Sequence, residues 1–193
     1  LSYHIKHGRV LVGTKSGLPL SETDCISCGH CVNACPCGAL KYTSEKGKAF
    51  KALNDLTKTV VAFVAPACRA AVATHYGVPA EESSAYMAGM LKAIGFDKVF
   101  DNAFSADLTI VEETTEFINR FKSGGVMPQF TSCCPGWVNL VERRYPEIIP
   151  HLSSCKAAQM MMGATIKAHY SQYAGIDKKD LYVVSIVPCL AKK

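Results

Sequence analysis

The sequence contains no apolar run near the ~20 residues that a membrane-spanning helix needs, which excludes a helical span. It opens on Leu1-Ser2-Tyr3-His4, with neither Met nor a basic-then-apolar segment, so no secretory leader is expected. There is no internal repeat and no low-complexity tract. Charge of one sign is scarce too: the formal net charge is only +5, and the Lys and Arg residues form no stripe. That excludes nucleic acid as a partner, while a modest positive balance suits an acidic electron carrier. Charged residues make up 19% and apolar ones 49%, a balance that builds a core rather than a disordered chain. At 193 residues there is room for one or two compact domains.

Cysteine is what the sequence has in excess. Ten of them without an export signal point to metal ligands rather than disulfides. Four fall in Cys25-Ile26-Ser27-Cys28-Gly29-His30-Cys31-Val32-Asn33-Ala34-Cys35-Pro36, a C-x2-C-x2-C-x3-C-P run of the bacterial ferredoxin kind. Two-residue spacers let Cys25, Cys28 and Cys31 wrap one face of a [4Fe–4S] cubane, with Gly29 easing the turn. Cys35 is expected to open a short helix and Pro36 to end the wrapping. A zinc site would more usually use two separated C-x2-C pairs or histidines. In two-cluster ferredoxins the fourth Cys of such a run serves the other cluster. By that logic Cys25, Cys28 and Cys31 need a fourth ligand, Cys35 belongs to a second cluster, and an upstream motif is expected. His30 reads as a hydrogen-bonding or solvent-facing residue and Cys37 as a bystander.

A second pair stands in Thr131-Ser132-Cys133-Cys134-Pro135-Gly136-Trp137. Adjacent cysteines at a strand-to-helix junction point different ways, so one thiol can bind a metal while its neighbour does something else. The helix N-terminus just beyond favours an anionic centre. The alternative is a pair of packed structural cysteines.

Between these motifs the pattern predicts a hairpin over 3–13 turning at His7-Gly8, and part of a ferredoxin-like module over 1–45. A polar, helix-compatible linker follows over 46–58. Strands are predicted at 59–65, 98–101, 126–132 and 181–187. Helices are predicted from 67, at 81–94 closed by Gly95, at 106–121, at 138–144 and at 154–173, with a loop over 147–152. After residue 58 strands and helices alternate, which implies an α/β layer with mostly parallel pairing. Ligands bind at the carboxyl ends of such strands. Three ends, Ala65-Pro66, Cys133-Cys134-Pro135 and Pro188-Cys189, are candidates to meet at one site. Glu113 and Glu116 lie i, i+3 on one helix face. Neighbouring carboxylates can hand a proton between them, although with Glu112 present the residues alone favour an exposed acidic face. Ser153 alone reads as a helix cap. Cys68, Cys155, Trp137 and Met160 to Met162 read as packing residues.

With Val187-Pro188-Cys189-Leu190-Ala191-Lys192-Lys193 reached, the chain resembles the iron-only ([FeFe]) hydrogenases over essentially its whole length. T-S-C-C-P-G-W at 131–137 resembles the family's first active-site signature. V-P-C-L-A-K-K resembles the start of the second, with Val187 where the family more often has Met. A-P-A-C-R at 65–69 resembles a pocket segment in which Cys68 replaces Val. The third signature, with two further cluster cysteines, is absent, as is the Glu expected shortly after Lys193, so a fragment truncated at both ends is expected.

The resemblance implies a ferredoxin-like iron–sulfur module followed, over 59–193, by the N-terminal lobe of the hydrogenase catalytic domain. It implies an H-cluster, a [4Fe–4S] cubane joined to a two-iron unit carrying CO, cyanide and a bridging dithiolate. Cys134 and Cys189 would ligate the cubane, Cys133 would exchange the proton, and Lys192 would hydrogen-bond a cyanide. Ala65, Pro66 and Ala67 would line the opposite cyanide pocket, with Phe130, Gln159 and Val187 further pocket residues. Glu116, Ser153, Glu113 and Cys133 would form the proton path, with Arg120 at its mouth. The implied activity is reversible H2 oxidation and proton reduction, with a ferredoxin or similar small electron carrier as partner and maturation proteins to load the centre. The implied setting is intracellular and anaerobic, the cytoplasm or a hydrogenosome-type organelle. With two of the four cubane thiolates, the 193 residues alone are expected to be inactive. The rival readings are an iron–sulfur assembly relative of the nuclear-prelamin-recognition kind or a hydrogen sensor. Relatives of both kinds lack the proton-donating Cys, and the assembly relatives also lack the Lys. A simple electron carrier would leave the α/β region unexplained.

Overall fold

The computed structural model describes residues 1–14 and 17–193. Its organising element is the most apolar run of the sequence, strand Thr59–Val64, in which every residue but the first is buried. Two shorter strands flank it in parallel, Lys98–Asp101 on one side and Leu181–Ile186 on the other, pairing Val61 with Lys98 and with Val183. We number the strands β1 (Ser2–Lys6), β2 (Arg9–Gly13), β3 (Thr59–Val64), β4 (Lys98–Asp101) and β5 (Leu181–Ile186). The helices are α1 (His30–Ala34), α2 (Lys46–Leu53), α3 (Pro66–Tyr76), α4 (Ser83–Ile94), α5 (Ala103–Lys122), α6 (Pro135–Arg144), α7 (Ala158–Thr165) and α8 (Ser171–Tyr173).

Because successive strand residues face opposite ways, β3 feeds two cores. Val60, Ala62 and Val64 pack with Ala52 of α2, Met87 and Leu91 of α4, and Phe96. Val61 and Phe63 pack on the other face with Leu181, Met162 of α7 and Ile166 in the wide π-type turn Ile166–Tyr170. The result is the expected α/β layer, a parallel three-stranded sheet covered by helices on both faces. Pro66 opens α3 at its first position, where a missing amide costs nothing. Gly95 closes α4 in the left-handed region with φ 119°.

Four sequence expectations are corrected in detail. Residues 46–58 include α2, whose Ala52 and Leu53 join the apolar core, so this stretch packs rather than merely links. Cys35 ends α1 as its C-cap instead of opening a helix, since the turn begins at His30 behind Gly29. Residues 126–132 form no regular strand. Pro128 has no amide to give a ladder, and Phe130 alone bridges to Leu152, with its amide donating to the His151 carbonyl and its carbonyl accepting from Ser153 N–H. The long helix begins at Ala158, not 154, because residues 153–155 are held extended by tertiary hydrogen bonds: Ser154 N–H donates to Glu116 and Ser132 Oγ to the Cys155 carbonyl. Elsewhere, the hairpin β1–β2 pairs antiparallel as expected, and residues 146–151 form a 3-10 turn. Among the described residues no helix is long and apolar enough to cross a membrane.

Candidate functional site

Two chain segments, 130–133 and 152–155, are laced into one layer beside α5. The Phe130–Ser153 pairing continues through Ser132 Oγ, which donates to the Cys155 carbonyl at 2.9 Å, and Cys155 N–H, which donates to Ser153 Oγ at 3.1 Å. This lacing sets Cys133 beside the segment that carries Ser153. The face of α5 bearing Glu113 and Glu116 packs against the same segment. Ser153 Oγ donates to Glu116 Oε2 at 2.7 Å, and Ser154 N–H reaches the same oxygen at 3.1 Å. Arg120, one helical turn on, closes the other side: Nη2 lies 2.6 Å from Glu116 Oε1 and also donates to the Leu152 carbonyl. The acidic face is therefore engaged at Glu116, whereas Glu112 is exposed.

The balance of forces on Glu116 has a definite sign. Burial opposes its ionisation, but the Ser153 hydroxyl, the Ser154 amide and the Arg120 guanidinium outweigh it and hold the carboxyl below the ordinary carboxylate range. A carboxylate with a depressed pKa in the folded state adds stability that is present above its unfolded pKa and lost as pH falls through the folded value. Glu116→Gln is therefore expected to lower the thermal midpoint at neutral pH and to match the parent in acid below that folded value. Differential scanning fluorimetry across pH checks this. A Gln effect that persisted unchanged in acid would show that packing, not charge, carries the role.

Glu113 occupies a drier place. Its Oε1 is buried with no hydrogen-bond partner among the described residues, and so is Oε1 of Gln129, whose Nε2 donates to the Glu113 carbonyl at 3.3 Å. Buried acceptors of this kind call for a donor, a proton or a water. Gln129 was missed by sequence reasoning; its only mark is that it is the polar residue in the stretch Val126-Met127-Pro128-Gln129-Phe130. Cys155 lies between the two halves. Burial, then the negative charges of Glu113, Glu112 and Glu116 and of Cys133, push its thiol up, so it stays neutral. A cavity of about 650 Å³ opens to the surface over Glu116, Arg120, Ser154 and Cys155.

The thiols of Cys134 and Cys189 occupy equivalent places. Each is the extended residue that caps the start of a helical turn, α6 for Cys134 and the 3-10 turn Leu190–Lys192 for Cys189, and these two turns pack together. A groove of about 920 Å³ gathers Cys189, Lys192, Gln159 and Val187, with the buried, unpartnered Ser185 Oγ also on β5. Pro66 and Ala67 sit exposed at the first turn of α3, tied to β5 through Ala65 N–H donating to the Ile186 carbonyl. Phe130 meets Trp137 edge-to-face, ring centroids 6.0 Å apart. Of the three segments expected to meet, the ends of β3 and β5 adjoin and the turn after β5 packs on α6, whose leading segment is a loop rather than a strand.

The ferredoxin-type run lies against this centre. Cα of Gly136 borders both cysteines: a Cβ there would stand 3.2 Å from Cys28 Cβ and 3.9 Å from Cys134 Sγ. The thiol of Cys35 sits among amides. Leu40 N–H chiefly, with help from Cys37 and Ala39 and against burial, holds it below the usual thiol value. Cys25 Sγ accepts from Ser27 N–H at 3.4 Å. Among the described residues no three His, Cys, Asp or Glu side chains converge on one point as a single-ion site. A cubane spreads its thiolates over the corners of a cluster, and an all-Cys donor set surrounded by amide donors fits that group better than one ion. The donor set present therefore fits iron–sulfur clusters.

Residues 58–193 match the family described as iron only hydrogenase large subunit, C-terminal domain, and residues 18–41 match the 4Fe-4S binding domain. The chain is 42% identical to the NADP-reducing hydrogenase subunit HndD of Solidesulfovibrio fructosivorans, over 90% of this chain and 31% of that protein. It is 32% identical to protein NAR1 of Arabidopsis thaliana, over 90% of this chain and 38% of that protein. Among solved structures, apo [FeFe]-hydrogenase HydA1 from Chlamydomonas reinhardtii, variant C377H, superimposes with a TM-score of 0.67 at 41% identity, over 76% of this chain and 38% of that one. The chain thus spans about a third of the length of these relatives.

Proposed function

This chain belongs to the iron-only hydrogenase large-subunit family, and on that premise we propose that it is part of an enzyme for reversible H2 oxidation and proton reduction. The observation that carries the reading is the hydrogen-bonded set Arg120–Glu116–Ser153, laced through Ser132 and Cys155 to Cys133. A purely solvated acidic face would not bury a Glu113 oxygen that has no hydrogen-bond partner among the described residues.

When bound, the H-cluster supplies the iron at which the H–H bond is made or broken. Cys134 and Cys189 hold its cubane from two neighbouring turns. Lys192 offers a cation to an anionic ligand in the groove it shares with Gln159 and Val187. Ala65, Pro66, Ala67 and Phe130 shape the remaining wall. Protons travel between solvent and Cys133 Sγ by way of Glu116, Ser153 Oγ and Glu113. Glu116, kept ionised by the Ser153 hydroxyl, the Ser154 amide and Arg120 against its burial, receives a proton at the surface end. Ser153 Oγ donates to Glu116 Oε2 and accepts from the Cys155 N–H, and a hydroxyl can donate one proton while accepting another. Cys25, Cys28 and Cys31 would hold a [4Fe–4S] cluster, which would supply one-electron redox chemistry, and Cys35 would serve a neighbouring cluster.

The similarity to the cytosolic Fe-S cluster assembly factor narfl of Danio rerio, 34% identical over 70% of this chain, favours a second reading, an iron–sulfur assembly role without turnover. Such a role has no use for a thiol at Cys133 or a proton route to it. The two readings part in one assay: H2 evolution from a reduced dye by the matured full-length protein. Evolution is expected; its absence in protein with full iron content would favour assembly.

A further inference from the structure

We infer that α6 is the seat on which the cluster-bearing loop docks, with Asn139 and Arg143 as positioning residues for electron entry. The inference rests on the hydrogenase reading for its functional consequence and on geometry for the docking itself. The loop Thr23–Gly29 has no regular structure, and its backbone must find partners elsewhere. It finds them on one helix. Asn139 Nδ2 donates to the Ile26 carbonyl at 3.1 Å, and Arg143 Nη1 donates to the Thr23 carbonyl at 2.6 Å.

These two residues stand i, i+4 on a single face of α6, and the two carbonyls they hold flank Cys25. At the other end of the same helix, buried Gly136 packs against Cys28. Cys134, on the cap of α6, is the next sulfur along. One rigid helix therefore carries a ligand of the inner centre and grips the loop of the outer one at both ends. The loop is also braced from the far side, where Gly29 abuts Leu190, the neighbour of Cys189. Arg144 pairs with Asp24 at 2.6 Å with both side chains largely exposed, 56% and 73%; the Arg143 bond to Thr23 is also exposed, so partly buried Asn139 is the firmer anchor.

Nothing in the proton route touches Asn139 or Arg143. Their removal should therefore separate two reactions that hydrogenases perform at one site. Exchange between D2 and water needs the inner centre and the protons. Dye-linked H2 oxidation needs electrons to leave through the docked loop as well.

The test is Asn139→Ala/Arg143→Ala in the full-length matured protein. Dye-linked oxidation is expected to fall about five- to tenfold, the factor that losing two hydrogen bonds makes in a docking equilibrium, while D2–water exchange holds. Arg143→Lys should recover part of the oxidation rate, and Arg144→Ala should alter neither activity. In the cluster-free protein, amide hydrogen exchange over residues 23–28 should quicken in the double variant. Parallel loss of oxidation and D2 exchange would overturn the inference, since α6 would then be supporting the active site itself. Unchanged oxidation with unchanged amide protection would overturn it as well. Should the parent protein show no D2 exchange, the hydrogenase reading fails, and amide protection still decides whether α6 holds the loop.

Discussion

Replacing Cys133 by Ser in the full-length matured protein is expected to lower H2 turnover by about two to four orders of magnitude, the contribution of a positioned proton donor. The replacement should leave iron content and the cluster's spectra unchanged. Cys133 precedes the residue that caps α6, so its side chain and that of Cys134 leave the backbone in different directions. Cys134 Sγ lies 3.9 Å from where a Cβ on Gly136 would stand, on the side of the cluster loop, while Cys133 directly follows Ser132, whose Oγ donates to the Cys155 carbonyl. A thiol titrates near pH 8.5 in water and can both give and take a proton under physiological conditions. The serine hydroxyl ionises far less readily, so the substitution keeps the shape and removes the shuttle. Cys134→Ser is the informative contrast, since it should cost iron rather than rate per cluster. Turnover per H-cluster in the Cys133 variant, measured by gas chromatography, decides the point. Retained H2 evolution would remove Cys133 from the route.

Gly29→Ala carries the largest expected structural effect. Gly29 has φ +74°, a conformation that costs an L residue roughly 1–2 kcal/mol. The added Cβ would also stand 2.5 Å from Leu190 Cβ and 2.9 Å from its Cδ1, so one side must move. Overpacking of this kind adds about 1–3 kcal/mol. Both sides matter here: one is the wrapping turn of the cluster loop, the other the residue next to Cys189. The expected result is a lower thermal midpoint and slowed electron entry in the matured protein. Gly38 supplies the control, with φ +61° and open space where a Cβ would go, so Gly38→Ala shows the backbone cost alone. Leu190→Gly added to Gly29→Ala removes the Cβ that the new methyl would strike and should recover the contact part, a coupling that a double-mutant cycle reads directly. Equal effects of Gly29→Ala and Gly38→Ala would show that the loop does not press on Leu190.

The sheet was legible because β3 and β5 lie in continuous apolar, largely β-branched runs ended by proline; β3 is buried on both faces, and the edge strand β5 is half-buried. The glycine after α4 and the proline before α3 read as helix punctuation for the same local reasons. The segments that build the site left weaker marks. Residues 126–132 look like a strand by composition, yet Phe130 makes the only bridge, and its hydrogen bonds go to His151 and Ser153. Residues 154–157 look helical, yet the amide of Ser154 is drawn to Glu116, a partner 38 residues away. Composition records propensity, and here distant hydrogen bonds override it. Gln129 and Asn139 escaped notice for a related reason. Each acts on a backbone carbonyl, of Glu113 and Ile26, and a carbonyl has no letter in the sequence. The i, i+3 spacing of Glu113 and Glu116 was visible, but the Ser153 and Arg120 contacts that distinguish Glu116 from its exposed neighbour appear only in the fold.

The central claim is that Cys134, Cys189 and Lys192 hold an H-cluster within the full-length protein. Infrared spectroscopy of the matured protein tests it most directly, because CO and cyanide on iron absorb where protein does not. The account predicts both sets of bands, with the cyanide bands shifted in Lys192→Ala and the CO bands kept in Cys133→Ser. Iron-loaded, catalytically silent protein with no CO or cyanide bands would contradict it.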